Sequence, residues 1–422
     1  MNNIVVVVID GVRAKNLSLY GYNKETDKNL KKLASEGIFF KNHFSPSNST
    51  APSLISLFTG KYPDNHGIVH QFPYTKQEEI EKFKKTEFWF PSYLKKKGYN
   101  TIGIDWSGLW FKKGFDYYGD EENKTRKILN SPIIKKILLS LPNWVYKFGK
   151  KLTKIRSSPQ IPPAHKTTDL AISKIKESKK PFFLFLHYLD THFPFPTVKN
   201  PKPSGERDIY KILENIKDKS QKEYIKKRIV DISLNSIKDI VNKYDLVIET
   251  LDFEIGRLVN FLKKENLWGN TIFIVLADHG ENFGEHGIYF SHAGLYDESI
   301  HVPLIIKIPG FKNKEVDGMM QNIDIIPTIL DFSGEKSKIK KYNFDGFSLL
   351  SFIKDKKKEI RKKVLSFDGL AEDIKAVRSK NRKWITAKNS RCNLCKSSHH
   401  LEFEEYDLKK DPQELKNIYS KK

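Results

Sequence analysis

Apolar positions along the chain fall into short unbroken runs separated by amphipathic stretches. Asn3 to Ile9 is a continuous, mostly β-branched run closed by Asp10-Gly11. It predicts a buried parallel strand that delivers a carboxylate to its C-terminal end. Similar runs at Thr101 to Asp105, Pro181 to His187, Thr271 to Asp278 and Val302 to Ile308 predict further strands, while Thr167 to Glu177 and Leu246 to Lys264 have helical spacing. Strands alternating with helices over this length predict an α/β sandwich on a mostly parallel sheet, whose active site lies at the carboxyl ends of the strands. The longest apolar runs, Ile4 to Ile9 and Pro181 to Leu186, are far short of the ~20 residues a membrane-spanning helix needs.

Two stretches interrupt the alternation. Asn123 to Pro163 mixes lysines with apolar residues such as Ile133, Leu138, Trp144 and Phe148; helices on the domain flank are expected, with a basic element on a membrane or a lid as the alternative. Asn200 to Asn242 is polar and lysine-rich and reads as a helical excursion. After Asp331 the texture turns polar and basic, so a boundary is expected near Ser333 to Lys341, dividing a catalytic unit at 1–335 from a small α+β unit at 336–422. Strand-like pieces follow at Lys363 to Phe367 and Trp384 to Ala387, and the last residues suggest a strand, a turn at Asp411-Pro412 and a short helix.

With 39% hydrophobic residues in 422, the chain can bury a large core. Lys and Arg number 74 against 51 Asp and Glu, a formal charge of +23. That favours anionic partners: a charged substrate, an anionic polysaccharide or a membrane face. No nucleic-acid fold signature accompanies the charge, which argues against nucleic acid. The N-terminal apolar stretch lacks a basic flank and a cleavage site, and Cys392 and Cys395 are the only cysteines. A reducing, cytoplasmic setting is therefore expected, with peripheral membrane contact as an option. Cys392-Asn-Leu-Cys395 precedes His399-His400, a candidate structural zinc site; without a second cysteine pair, free thiols in a loop are the expectation.

Four segments carry chemistry. Asp10 ends the first strand. Thr50 precedes Pro52 in a run that reads as a helix start, so its hydroxyl meets the positive end of a helix, where anions bind. Asp278-His279-Gly280 ends another strand and suits a divalent metal. His187, Asp190 and His192 follow a further strand, and His292 lies downstream.

The order of these segments resembles the sulfatases of the alkaline phosphatase superfamily. The likeness runs through IVVVVIDGVRAKNLSLYGY, STAPSLISLFTGKYPDNHG, GFDYY, FLHYLDTHFPF, LADHGENFGEHG, SHAGLYDESIHVPLII, NIDIIPTILDFSG with DGFSLL, and EYDLKKDPQELKNI, covering nearly the whole chain. The resemblance implies the alkaline phosphatase/sulfatase-like sandwich. It also implies that Asp10, Asp278 and His279 hold a metal with the Thr50 oxygen, that His192 binds substrate oxygens, and that His292 lies over the substrate or leaving group. Arg13 and His66 fall within family motifs and are expected to be structural.

Two departures bear on the chemistry. The family places at Thr50 a Cys or Ser that becomes formylglycine, and an Arg at Leu54. Threonine does not form that aldehyde, so a formylglycine-independent mechanism is expected. Where calcium-dependent members often have a second acidic residue, this chain has Gly11. One Mn²⁺, Mg²⁺ or Zn²⁺ is therefore expected rather than Ca²⁺, which takes six to eight oxygens. The expected activity is metal-dependent hydrolysis of phosphate or sulfate esters with Thr50 as nucleophile, phosphoesters favoured, and with His292, near its ordinary pKa of ~6.5, as general acid. The alternatives are a phospho-alcohol transferase acting on a glycan or lipid, and a non-catalytic binder of anionic polymer.

Overall fold

A computed structural model describes residues 1–106, 108–119, 162–355 and 360–420. The predicted runs form β1 (Asn3–Ile9), β3 (Asn100–Ile104), β5 (Phe182–Tyr188), β6 (Thr271–Leu276) and β9 (Leu304–Lys307), joined by β2 (Ile38–Phe44), the short β4 (Tyr117–Tyr118) and β10 (Lys314–Gln321). They make one sheet in the order β10-β2-β9-β6-β1-β5-β3-β4. Pairing is parallel except at β9, which runs antiparallel to both β2 and β6.

The sequence shows why β1 sits at the centre. Val5, Val7 and Ile9 enter the core on one face, and Ile4, Val6 and Val8 enter the core on the other. A strand buried on both faces needs no alternation, hence the unbroken apolar run. Helix α1 (Thr50–Thr59) and the later α5 (Ile325–Phe332) cover the second face; α2 (Ala164–Glu177) and the long α4 (Ile237–Lys264) cover the first. Helix α4 starts earlier than its apolar pattern suggested, because Ser236 caps it by accepting from the Asp239 amide at 3.0 Å.

Of the two interruptions, 123–163 lies outside the described residues except for its last two positions. The other is helical as expected, with α3 (Lys219–Ile232) capped by Asp218. No helix among the described residues is long and apolar enough to cross a membrane.

Toward the C-terminus, β11 (Lys363–Phe367), β12 (Glu372–Ser379), β13 (Arg382–Asn389) and β14 (Phe403–Asp407) form an antiparallel meander. It is tied to the larger layer through Asp297, which receives Arg378 at 2.9 Å and Lys383 at 3.0 Å. The closing helix expected after Pro412 does not form. The segment runs beside β14 instead, with the Ile418 amide donating to the Glu405 carbonyl at 2.9 Å and buried Glu414 accepting from the Asp297 amide at 2.7 Å. These long-range bonds replace those a short helix would make.

Candidate active site

The register of the sheet assembles the site. Val8 pairs with Leu276, so Asp10 and Asp278, each two residues further along, leave adjacent parallel strands side by side. Gly11 turns the chain away at φ 60°, and its amide donates to Asp278 Oδ1 at 3.1 Å. The His279 amide donates to the same oxygen at 2.9 Å. Asp278 Oδ2 is buried and has no hydrogen-bond partner among the described residues, 3.5 Å from His279 Nε2.

Thr50 is the first residue of α1, as its sequence context predicted. Its Oγ1 lies 3.3 Å from Asp10 Oδ1 and 3.1 Å from His279 Nε2. Two serines pin that helix end: Ser53 Oγ donates to the Asp278 carbonyl at 2.8 Å, and Ser45 Oγ donates to the same oxygen. The motif reading passed over both serines, because their role depends on a carbonyl more than two hundred residues away.

Hydrogen bonding fixes the imidazoles. His279 Nδ1 donates to the Gly280 carbonyl at 2.8 Å, which leaves the Nε2 lone pair toward Thr50 and the carboxylates. His292 Nδ1 donates to the Asn48 carbonyl at 2.5 Å, and its ring stacks on His279 at 4.3 Å. Burial, followed by the His279 charge, holds His292 well below the ordinary histidine value. The general acid expected at this position is therefore a neutral ring whose Nε2 accepts. Exposed His192 donates from Nδ1 to the Phe193 carbonyl at 3.0 Å, leaving Nε2 for a ligand.

Electrostatics favour a cation among these groups. Burial and then the Asp278 charge raise the Asp10 pKa, as two carboxylates sharing a dry site require. Burial opposes protonation of His279, yet Asp278 and Asp10 outweigh it and raise that pKa too. Ligand atoms of Asp10, Asp278 and His279 all lie within 4.8 Å of one another. Two carboxylates, an imidazole and a hydroxyl form a mixed O/N set of the kind that holds a divalent cation. The orphaned Asp278 oxygen is the observation that asks for such an ion.

Other sequence candidates have structural duties. Asp190 accepts from the Ala164 amide at 2.9 Å at the start of α2. His187 is wholly buried and donates to Asp105 at 2.9 Å; burial lowers its pKa, but Asp105 prevails and holds it at about 9. Arg13 binds Glu285 at 2.8 Å, and His66 contacts Ser56 Oγ at 3.0 Å, as expected of structural groups. Leu54, at the family's arginine position, is core.

Arg228 escaped the sequence reading, and Glu281, within the Asp278-His279-Gly280-Glu281 segment, was given no role by it. Arg228, on α3, donates from Nε to Tyr224 Oη at 2.9 Å and lies over the Phe193 ring at 5.0 Å. Its charge reaches Glu281 and His292. The Tyr224–Arg228 spacing of four on a helix was the available signal. Glu281 is buried beside the site, and burial pushes its pKa up to about 7.

Comparison with known proteins identifies the family. A family model described as "Sulfatase" matches residues 2–335. The chain belongs to the sulfatase family. A second model, "N-sulphoglucosamine sulphohydrolase, C-terminal", matches 284–422. Sulfatase relatives include a "Sulfatase" of Formosa agariphila, 24% identical over 79% of this chain and 69% of that protein. An "Arylsulfatase" of Clostridium perfringens is 26% identical over 99% of this chain and 90% of that protein. The phosphonate monoester hydrolase of Agrobacterium radiobacter shares the fold at a TM-score of 0.65 and 19% identity, covering 99% of this chain and 91% of that one. As a sulfatase-family member the protein is a hydrolase acting on ester bonds, and its substrates are anionic.

Proposed function

We propose that the protein hydrolyses phosphate esters, and sulfate esters less efficiently, with Thr50 Oγ1 as the nucleophile. The observation that supports this is the placement of a threonine hydroxyl, rather than a residue convertible to formylglycine, between Asp10 and His279 at a helix N-terminus. Asp10, Asp278, His279 and Thr50 would hold one divalent cation, which when bound lowers the pKa of a coordinated hydroxyl and offsets charge on substrate oxygens.

The chain's own groups supply the rest. Thr50 Oγ1, its proton passed to solvent, attacks in line: the bond from Oγ1 to phosphorus forms as the bond from phosphorus to the ester oxygen breaks, and the departing ester oxygen takes a proton from water. The positive end of the α1 dipole attracts the equatorial oxygens. His192 Nε2 hydrogen-bonds those oxygens. Neutral His292 accepts at Nε2, which suits it to orient the water that later releases phosphate from Thr50. Arg228 adds a positive charge at the rim.

A matched panel of nitrophenyl phosphate, bis-nitrophenyl phosphate and nitrophenyl sulfate with Mn²⁺, Mg²⁺ or Zn²⁺ tests the reading. Cation-dependent turnover of a phosphate ester in excess of the sulfate ester is expected. Dominant sulfate turnover would reverse the preference, and silence on all three would favour a transferase with a dedicated acceptor. In the same assay Arg228→Ala is expected to raise KM about tenfold or more, the scale of one charge-assisted hydrogen bond, with a smaller change in kcat. An unchanged KM would remove Arg228 from substrate binding.

A further inference from the structure

The loop between β13 and β14 folds its backbone around the two cysteines. The Leu394 amide donates to Cys392 Sγ at 3.3 Å. The Lys396 amide donates to the Cys392 carbonyl at 2.9 Å, and Lys396 itself takes the left-handed conformation at φ 62°. Arg391 and Ser398 pair across the turn.

His399 closes the group. Its Nε2 lies 2.9 Å from Cys395 Sγ, and the ligand atoms of Cys392, Cys395 and His399 all lie within 4.8 Å of one another. Tetrahedral zinc, with Zn–S of about 2.3 Å and Zn–N of about 2.0 Å, spaces such donors about 3.5–3.8 Å apart. A small outward movement of the imidazole reaches that spacing. Both cysteines are buried, which suits a structural ion better than a redox pair needing access to a partner.

Neighbouring donors are committed elsewhere. His400 Nε2 accepts from the Leu295 amide at 3.1 Å, and its Nδ1 faces Glu404 at 3.2 Å. Asp368 accepts from the Leu370 and Gly294 amides. Among the described residues no fourth histidine, cysteine or carboxylate joins the group, so a solvent oxygen would fill the fourth position.

We infer that Cys392, Cys395 and His399 bind one zinc ion that braces a wall of the active site. The loop is joined to that wall on two sides. Tyr296, close in sequence to His292, has its Oη 3.3 Å from the His399 carbonyl and 3.0 Å from Glu404 Oε2. The Asn393 amide donates to the Leu370 carbonyl at 2.6 Å, and the adjacent Gly369 amide donates to Asn48 Oδ1 at 2.8 Å. Asn48 in turn holds His292. The inference does not depend on which ester the enzyme cleaves.

The test uses the full chain, purified without chelator. Elemental analysis is combined with titration by a thiol-specific mercurial, with released zinc read by a chromogenic chelator. One zinc per chain is expected to leave in step with modification of the two thiols. It should persist in Asp278→Asn, which lacks a ligand of the other centre, and be lost in Cys392→Ser and Cys395→Ser. Cobalt-substituted protein should show a sulfur-to-cobalt charge-transfer band that Asp278→Asn retains. If the cysteine variants do not fold, wild-type release and the Asp278→Asn spectrum decide alone. Thiols that react without releasing metal, or a Cys392–Cys395 disulfide detected by mass after alkylation, would overturn the assignment.

Discussion

Thr50→Ala is expected to lower kcat at least about a thousand-fold, because it removes the atom that forms the new bond and leaves only binding and electrostatic contributions. Stability should change little. Among the described residues the hydroxyl hydrogen-bonds Asp10 and His279, and alanine favours a helix. Steady-state turnover and thermal melting of the purified variant check both halves. Thr50→Ser should keep part of the activity, and rapid quenching of the wild type with a phosphate ester should trap a phosphate mass on the peptide containing Thr50. Turnover that survives Thr50→Ala would sink the nucleophile assignment.

Asp278→Asn should abolish cation-dependent activity and also uncouple the cation from stability. In the wild type, cation at a hundred times its Kd should stabilise the fold by about 2.7 kcal/mol, read as a rise in Tm. The variant should show no such rise. In chelator the order is expected to invert, with the variant melting at or above the wild type, since it no longer buries an unpartnered carboxylate oxygen beside Asp10. A cation-induced rise of equal size in both proteins would place the ion elsewhere.

The sequence was most legible where one physical demand dominated. Strands β1, β5 and β6 are buried on both faces, so their apolar runs stand out from everything around them. Strand β2 was missed because Lys41 and Asn42 interrupt it, and β10 because Glu315, Asp317 and Gly318 do. Both lie toward one edge of the sheet, where part of each strand meets solvent and the pattern weakens. In the tail, helical composition after Pro412 lost to hydrogen bonds with β14 and Asp297, partners a local window does not contain.

Within the site the same division holds. Residue types and their order along the chain determined the chemistry available: a carboxylate ending the first strand, an Asp-His pair ending another, and a hydroxyl before a helix. Local backbone preference places each of these, so the sequence by itself sufficed for them. Only the tertiary structure decided that His292 is neutral, that Asp190 caps a helix, that Arg228 from a lysine-rich excursion reaches the rim, and that Ser45 and Ser53 set the position of Thr50. Protonation and positioning depend on burial and on charges and carbonyls brought together from distant segments, and those distances exist only once the sheet has set its register.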